Sequence, residues 1–513
     1  MIAPWAREYG CEDLRRYAGS YACMTATHSP RIARSTLINL AGLLIPTVVS
    51  LATVPLYLRW IGEVRYGVLL LAFTLLGYFG AFDLGLGRAV AQRVARQESS
   101  EERNRTFWTA FILSAGMGVL GGIILYFLGH WLFADIFQIP ATLRDEAQKA
   151  IPWLAAIVPL IALISVLAGT LEARQAFLSL NTSQIIGVLG LQTFPLLSVA
   201  LGHGSIAALI AAALAGRVTG VVVMFWLTAR QLPFVGWPAL HRAEIGPLLR
   251  FGGWVSVSGA VIPLLTIIDR LIIGARLGVA AVTAYTVPFN LTQRFTYLPY
   301  ALSTTLFPRF SQAQGEDAKG LLRQAVTALT AIQTPFIVLA ILLMHPFLIL
   351  WIGADLAAKM APIAIILLLG IWINGPAFIP YAYMPAQGRH DLMTKFYLAE
   401  LVPFLLILWA LIAWLGIVGA ALAWALRSSA DAIFCFAATG TTKTYGRAIG
   451  LTLFPVIAAT LVASASPSFR LEISIGSAIL AIALGMSYYL LPAPLRQRVI
   501  FWRKPLLSQH FPE

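Results

Sequence analysis

Stretch after stretch of about twenty mainly apolar residues, separated by short polar connections, runs through this chain from residue 36 to residue 491. Twenty residues of α-helix cross the hydrocarbon core of a bilayer, whereas barrel strands need only about half that length. Lipid offers the backbone no hydrogen-bond partners, so runs of this length must satisfy their own N–H and C=O groups as helices. The remaining composition agrees: 59% of the residues are hydrophobic and 11% charged, against roughly 45–50% and 25% in soluble domains. The expected fold is an all-α polytopic membrane protein of fourteen spans, the first near 36–60 and the last near 472–491.

The net charge of +14 reads as topology and not as a nucleic-acid footprint, because the cations cluster on alternate connections. Arg7, Arg15, Arg16, Arg31 and Arg34 precede the first span; Arg93, Arg96, Arg103 and Arg105 lie between the second and third; Arg496, Arg498, Arg503 and Lys504 close the chain. The positive-inside rule then places both termini in the cytoplasm, consistent with an even number of spans. Residues 1–34 are polar and basic, with no apolar core of the kind a cleavable signal requires, and are expected to be a cytoplasmic segment. Cys11, Cys23 and Cys435 are too dispersed for a disulfide framework or a zinc site.

The sequence repeats itself at an offset near 216. Ile61-Gly62 corresponds to Leu277-Gly278, Arg93 to Arg309, Ile45-Pro46 to Ile262-Pro263, and Gly204-Ser-Ile-Ala-Ala more loosely to the residues after Leu415. Six spans separate the copies, an even number, so the copies run in the same direction across the membrane. The expected organisation is a segment 1–34, an N-lobe 35–228 of six helices, a cytoplasmic linker 229–249, a C-lobe 250–440 of six helices, and residues 441–513 with two further helices and a tail.

Ionisable residues inside apolar spans mark function by default, since an arginine at mid-bilayer costs about 2.5–3.5 kcal/mol on insertion scales. Arg217 and Arg427 occupy corresponding helices of the two lobes. Arg217 has Ala213 and Val221 one turn away; Arg427 has Asp431 at i+4, and the two are expected to pair. In the eighth span Asn290, Arg294 and Tyr297 fall at i, i+4 and i+7, one polar stripe of a helix. Asp269-Arg270 lie in the seventh span, where Arg270 is within reach of the interface by snorkelling. Asp83 sits near the inner end of the second, and Glu172 and Glu400 are expected at the cytoplasmic interface. Planar guanidinium groups bind phosphate oxygens in pairs and stay charged, so Arg217, Arg294, Arg427 and Arg270, with Asn290 and Tyr297, are the candidate wall of a cavity for a diphosphate. Asp269, Asp431 and Asp83 are the candidate pairing or coupling groups. Pro46 and Pro263, at matching places in the two lobes, are candidate kinks of a gate, and Pro376, Pro380 and Pro385 are expected to break the tenth span.

The first hairpin reads Tyr57-Leu58-Arg59-Trp60-Ile61-Gly62-Glu63-Val64-Arg65-Tyr66-Gly67, and the second span ends Asp83-Leu84-Gly85-Leu86-Gly87-Arg88. With the basic start, these stretches resemble the polysaccharide transporter family, the O-antigen flippase type within the multidrug/oligosaccharidyl-lipid/polysaccharide exporter superfamily. The resemblance extends over nearly the whole chain. It implies two six-helix lobes plus two helices, and alternating-access export of undecaprenyl-diphosphate-linked sugars across the bacterial inner membrane. It further implies partners among membrane lipids, glycosyltransferases and a polysaccharide polymerase, and no organic cofactor; a coupling ion, proton or Na+, stays open. A lipid II-type flippase and a multidrug/cation antiporter are alternatives within the superfamily, although the latter calls for carboxylates that the first span lacks. A membrane-embedded glycosyltransferase or polymerase is the alternative of another class. It fits poorly, because no long soluble loop, Walker sequence or H-E-x-x-H pattern is present.

Overall fold

Backbone self-sufficiency is the rule that the chain obeys throughout: among the described residues all regular structure is helical. The computed structural model describes residues 11–79, 85–233, 238–465, 469–493 and 495–496, with side chains from residue 45 onward except 249–264, 390, 466–470 and 472. Asp83, a candidate pairing group, lies outside the described residues. Pro263 is described as backbone only, within the helix Arg242–Arg276.

The helices fall where the apolar runs place them. The first span lies within the helix over residues 11–61, which itself begins in the segment expected to be a polar lead-in. The second comprises residues 63–79 and the helix Leu86–Arg96. The third to seventh are Ser100–Trp131, Ala141–Ala173, Phe177–Ala200, Ile206–Gln231 and Arg242–Arg276. The eighth is broken by a 3-10 turn, Gln293–Thr296, between Val279–Thr292 and Tyr297–Gln312. Gly315–Ile352 is the ninth. The tenth runs Ala354–Asn374, then a 3-10 turn Gly375–Ala377 with Pro376 at its start, then Phe378–Ala386, so this span breaks where its prolines are expected to break it. The eleventh and twelfth share the helix His390–Ala438, interrupted at Gly416. Thr442–Ala465 and Phe469–Leu490 complete the set. Ten described helices are long and apolar enough to cross a membrane. The chain is a multi-pass membrane protein.

The repeat is visible in backbone torsions. Gly62 has φ 79°, ψ 167°, and Gly278, at offset 216, has φ 85°, ψ 172°. Residues with a Cβ rarely adopt these torsions, so both lobes open with the same glycine break between their first two helices. The match recurs at the other end of the following span: Gln97 and Ala313 cap their helices with near-identical torsions, donating to the carbonyls of Arg93 and Arg309.

The chain divides into two compact units that depart from the expected boundaries. One comprises 1–57, 79–130 and 146–259; the other comprises 58–78, 131–145 and 260–513. Residues 58–78 and 131–145 thus leave the N-lobe to join the second unit, and main-chain contacts explain why. Thr283 Oγ1 donates to the Glu63 carbonyl at 2.8 Å, and the Gln138 N–H donates to the Gly274 carbonyl at 3.0 Å. Lys359 Nζ lies 3.4 Å from Glu63 Oε2.

Within the first unit, Gly87 of the second span meets the fourth so closely that a Cβ on it would stand 2.3 Å from Ser165 Oγ. The linker is shorter than expected, since helix continues to Gln231 and resumes at Arg242. Its ends are tied down: Asn104 Nδ2 donates to the Pro233 carbonyl at 3.0 Å, and Arg93 pairs with Glu244 at 2.7 Å. The fifth and sixth spans form a small-residue seam, where a Cβ on Gly216 would stand 2.4 Å from the Gly190 backbone. Gly216→Val is expected to cost at least about 1–3 kcal/mol through overpacking, read as a lowered melting midpoint of the purified protein.

Candidate functional site

Arg217 projects from this seam. Ala213, Gly220 and Met224 are buried, while Val218, Val222 and Trp226 are exposed. At about 100° per residue, Arg217 falls roughly 40° from Ala213, inside the protein-facing stripe and opposite the exposed one. Its side chain is half-buried, and its Nε is buried without a hydrogen-bond acceptor. Among the described residues no carboxylate lies within ion-pairing distance of it. The first unit therefore offers one uncompensated guanidinium on an inward-facing stripe.

The second unit holds a cavity of about 580 Å³. The two 3-10 breaks explain its position: each interrupts a span near its middle and turns side chains of the next helical segment inward. Tyr300 and Phe307 come from the segment after the break in the eighth span, and Asn374, Phe378 and Tyr381 flank the break in the tenth. Ser303, Thr304, Thr266, Tyr397, Arg427 and Asp431 complete the polar and aromatic lining.

The predicted pair of Arg427 with Asp431 is replaced by another. Arg427 Nη1 lies 3.2 Å from Glu400 Oε1 on the eleventh span, with the two side chains 13% and 7% exposed. The guanidinium also stands 5.3 Å from the Phe404 ring. Asp431 instead accepts from Asn374 Nδ2 at 3.3 Å. Glu400 is therefore a buried partner and not an interfacial acid. Sequence separation conceals this pair: Glu400 is about 24 Å of helix from the Gly416 break and Arg427 about 17 Å, at 1.5 Å per residue, so the two are not level across the hairpin.

Asp269 and Arg270 are both buried, which corrects the snorkelling expectation for Arg270. Asp269 Oδ2 accepts from the Tyr285 hydroxyl at 2.5 Å, and its Oδ1 accepts from the Arg270 N–H at 2.8 Å. The Arg270 guanidinium lies 4.4 Å over the Phe289 ring, and its Nη1 donates to the Thr266 carbonyl at 3.1 Å. These two residues sit behind the cavity and do not line it.

The stripe Asn290, Arg294, Tyr297 does not persist as one face. A 3-10 turn advances about 120° per residue, which eclipses i and i+3. Arg294 accordingly donates to the Tyr297 hydroxyl, while Asn290, roughly 80° around, is exposed. None of the three lines this cavity. The helix continues through Pro46, with its non-helical break at Gly62 instead.

Chemically, the two units differ. Arg217 carries positive charge with no acid beside it. In the second unit, the cavity wall holds one guanidinium, Arg427, and one carboxylate, Asp431, amid tyrosine and phenylalanine rings, and Glu400 pairs with that guanidinium from outside the lining. Among the described residues no cluster of three His, Cys, Asp or Glu is placed to hold a metal ion.

Comparison with known proteins follows the same lines. A putative O-antigen transporter of Shigella flexneri is 26% identical over 404 residues, covering 78% of this chain and 96% of the relative. The fold is similar to that of lipid II flippase MurJ in an inward closed conformation, with a TM-score of 0.70 at 14% identity over 88% of this chain and 99% of that one. It is also similar to an inward-facing multidrug resistance MATE family transporter of the MOP superfamily, with a TM-score of 0.62 at 16% identity over 80% of this chain and 98% of that one. The model of the polysaccharide biosynthesis protein family matches residues 32–314, more than half of the 513 residues, and the chain belongs to that family.

Proposed function

We propose that this protein moves an undecaprenyl-diphosphate-linked oligosaccharide or polysaccharide precursor across the bacterial inner membrane by alternating access, with both termini in the cytoplasm. The observation that carries the reading is Arg217: a guanidinium on the protein-facing stripe of an apolar helix, with no carboxylate among the described residues to neutralise it. Such a group costs free energy unless it meets water or an anion, and a lipid diphosphate crossing the bilayer is an anion that has to pass this depth. Its family and the transporter-like fold support the same reading. Arg294, hydrogen-bonded to Tyr297, belongs to the same proposal as a second phosphate contact during transit, and Pro46 and Pro263 as places where the first helix of each lobe bends.

A diphosphate carries roughly two negative charges, and each moved outward gains about 2.3 kcal/mol per 100 mV, inside negative. The membrane potential therefore favours export, whether or not a proton or Na+ resets the carrier. Glycosyltransferases would supply the substrate and a polymerase or ligase would consume it.

Deleting the gene is expected to abolish the surface glycan and to trap its lipid-linked precursor in the inner leaflet, with restoration by a plasmid copy. A deletion strain that retains normal surface glycan, with no second transporter gene of this family, would overturn the proposal.

A further inference from the structure

We propose that the cavity of the second unit is a saccharide subsite, in which the sugar next to the diphosphate stacks on the tyrosines and hydrogen-bonds to Asp431 and Asn374, while the diphosphate itself is held elsewhere. The inference rests on the flippase reading and assigns its cargo's parts to different groups.

Charge argues first. Arg427 is already matched by Glu400 at 3.2 Å, and Asp431 lines the same wall. One guanidinium against two carboxylates leaves no surplus positive charge, so a diphosphate gains little here, in contrast to Arg217.

Chemistry of the lining argues second. Tyr300, Tyr381 and Tyr397 each combine a flat apolar face with a hydroxyl. A pyranose is their complement: its C–H face packs on a ring while its hydroxyls donate and accept at the rim. Ligand cavities typically occupy roughly 300–1,000 Å³ with a few convergent polar groups in an apolar lining. At about 580 Å³ this one admits a sugar or two and not a whole oligosaccharide chain.

Unsatisfied acceptors argue third. Asp431 is 8% exposed, and its Oδ1 makes no hydrogen bond of good geometry; the Tyr381 hydroxyl acts on this carboxylate but is poorly aligned with it. Buried acceptors without partners carry the full desolvation penalty, and a ligand rich in hydroxyl donors removes it. Residues on five spans converge on this slot, namely the seventh, eighth, tenth, eleventh and twelfth. A sugar bound here would therefore be gripped by both segments that follow the helix breaks.

The test uses full-length protein in nanodiscs and two probes, undecaprenyl diphosphate and the same carrier bearing one N-acetylhexosamine, with binding read by thermal shift and by titration. The wild type is expected to bind the glycosylated carrier about tenfold more tightly, the worth of one or two hydrogen bonds plus a ring contact. Tyr300→Ala and Asp431→Asn should each remove most of that gain and leave the bare carrier within about twofold. Tyr300 is exposed, so its variant keeps the fold even if the buried Asp431 variant does not. The inference is overturned if the gain survives Tyr300→Ala, if both carriers weaken in parallel, or if Na+ alone reproduces the stabilisation that the sugar gives. A wild type that binds both carriers equally overturns the saccharide subsite and leaves the flippase reading standing; one that binds neither overturns both.

Discussion

Arg217→Ala should abolish glycan export while leaving the protein's abundance in the membrane unchanged. The side chain sits on the protein-facing stripe of the sixth span, beside the seam formed by Gly190 and Gly216, and takes part in no ion pair among the described residues. Removing it deletes charge without stranding a partner. Hydrogen bonds to charged groups contribute about 1.5–3 kcal/mol each, and a guanidinium fork makes two at once. The expected loss is therefore on the order of a hundredfold or more in transport rate, at or below the detection limit of a glycan assay. Arg217→Lys keeps the charge and loses the fork, so it should retain intermediate activity. Complementation of a deletion strain, with an immunoblot of the membrane fraction, reads both outcomes. Wild-type glycan from the alanine variant would remove Arg217 from the mechanism.

The second large effect concerns stability. Glu400→Gln leaves Arg427 buried with no carboxylate within 4.0 Å among the described residues, and breaking one side of a buried pair typically costs about 3–5 kcal/mol. Replacing both, as Glu400→Gln with Arg427→Met, should recover most of that loss, because the stranded charge is gone. Melting midpoints of the two single variants and the double variant give the cycle. A cycle in which the losses of the two single variants simply add, with no coupling between Glu400 and Arg427, would contradict the pairing observed here.

That pairing also shows where sequence reasoning stops. Spans, their order and the parallel repeat follow from properties that act residue by residue: hydropathy sets the helices, and glycine supplies torsions that other residues rarely adopt, as at Gly62 and Gly278. The same reasoning finds which side chains are costly in a membrane, and Arg217, Asp269, Arg270, Arg427 and Asp431 are all buried or half-buried, as that cost requires. It does not find their partners. Partner choice depends on how far each helix slides past its neighbour, and the sequence expresses that offset only through packing. Hence Asp431 was the expected partner of Arg427 because it lies one turn away, whereas Glu400 reaches the guanidinium from the next helix. The 3-10 turn at Gln293–Thr296 is a further case. Nothing in the pattern Asn290, Arg294, Tyr297 distinguishes a continuous helix from one overwound in its middle, and the overwinding alone takes Asn290 off the shared face. The seam of Gly187/Gly190 and Gly216/Gly220 comes from the packing alone: small residues let helices approach closely, but the sequence does not single these out.

The two arginines at equivalent places of the repeat thus acquire different roles. Among the described residues Arg217 has no carboxylate partner, and it is proposed to meet an anion; Arg427 is paired with Glu400 and lines the cavity proposed for a sugar. A carrier for a lipid-linked sugar needs both kinds of surface.

Transbilayer movement of the cargo by the purified protein tests the account most directly. Proteoliposomes would carry a trace of undecaprenyl-diphosphate-linked sugar bearing a nitrobenzoxadiazole label, with dithionite added outside. In protein-free vesicles the inner-leaflet label stays protected. With the wild type, the protected fraction is expected to fall as inner-leaflet lipid reaches the outer face, and with Arg217→Ala it is expected to stay as in protein-free vesicles. If wild-type and protein-free vesicles protect the label equally while the reconstituted protein is folded, or if Arg217→Ala exposes it as fast as the wild type, the proposed carriage of a lipid diphosphate through Arg217 is contradicted.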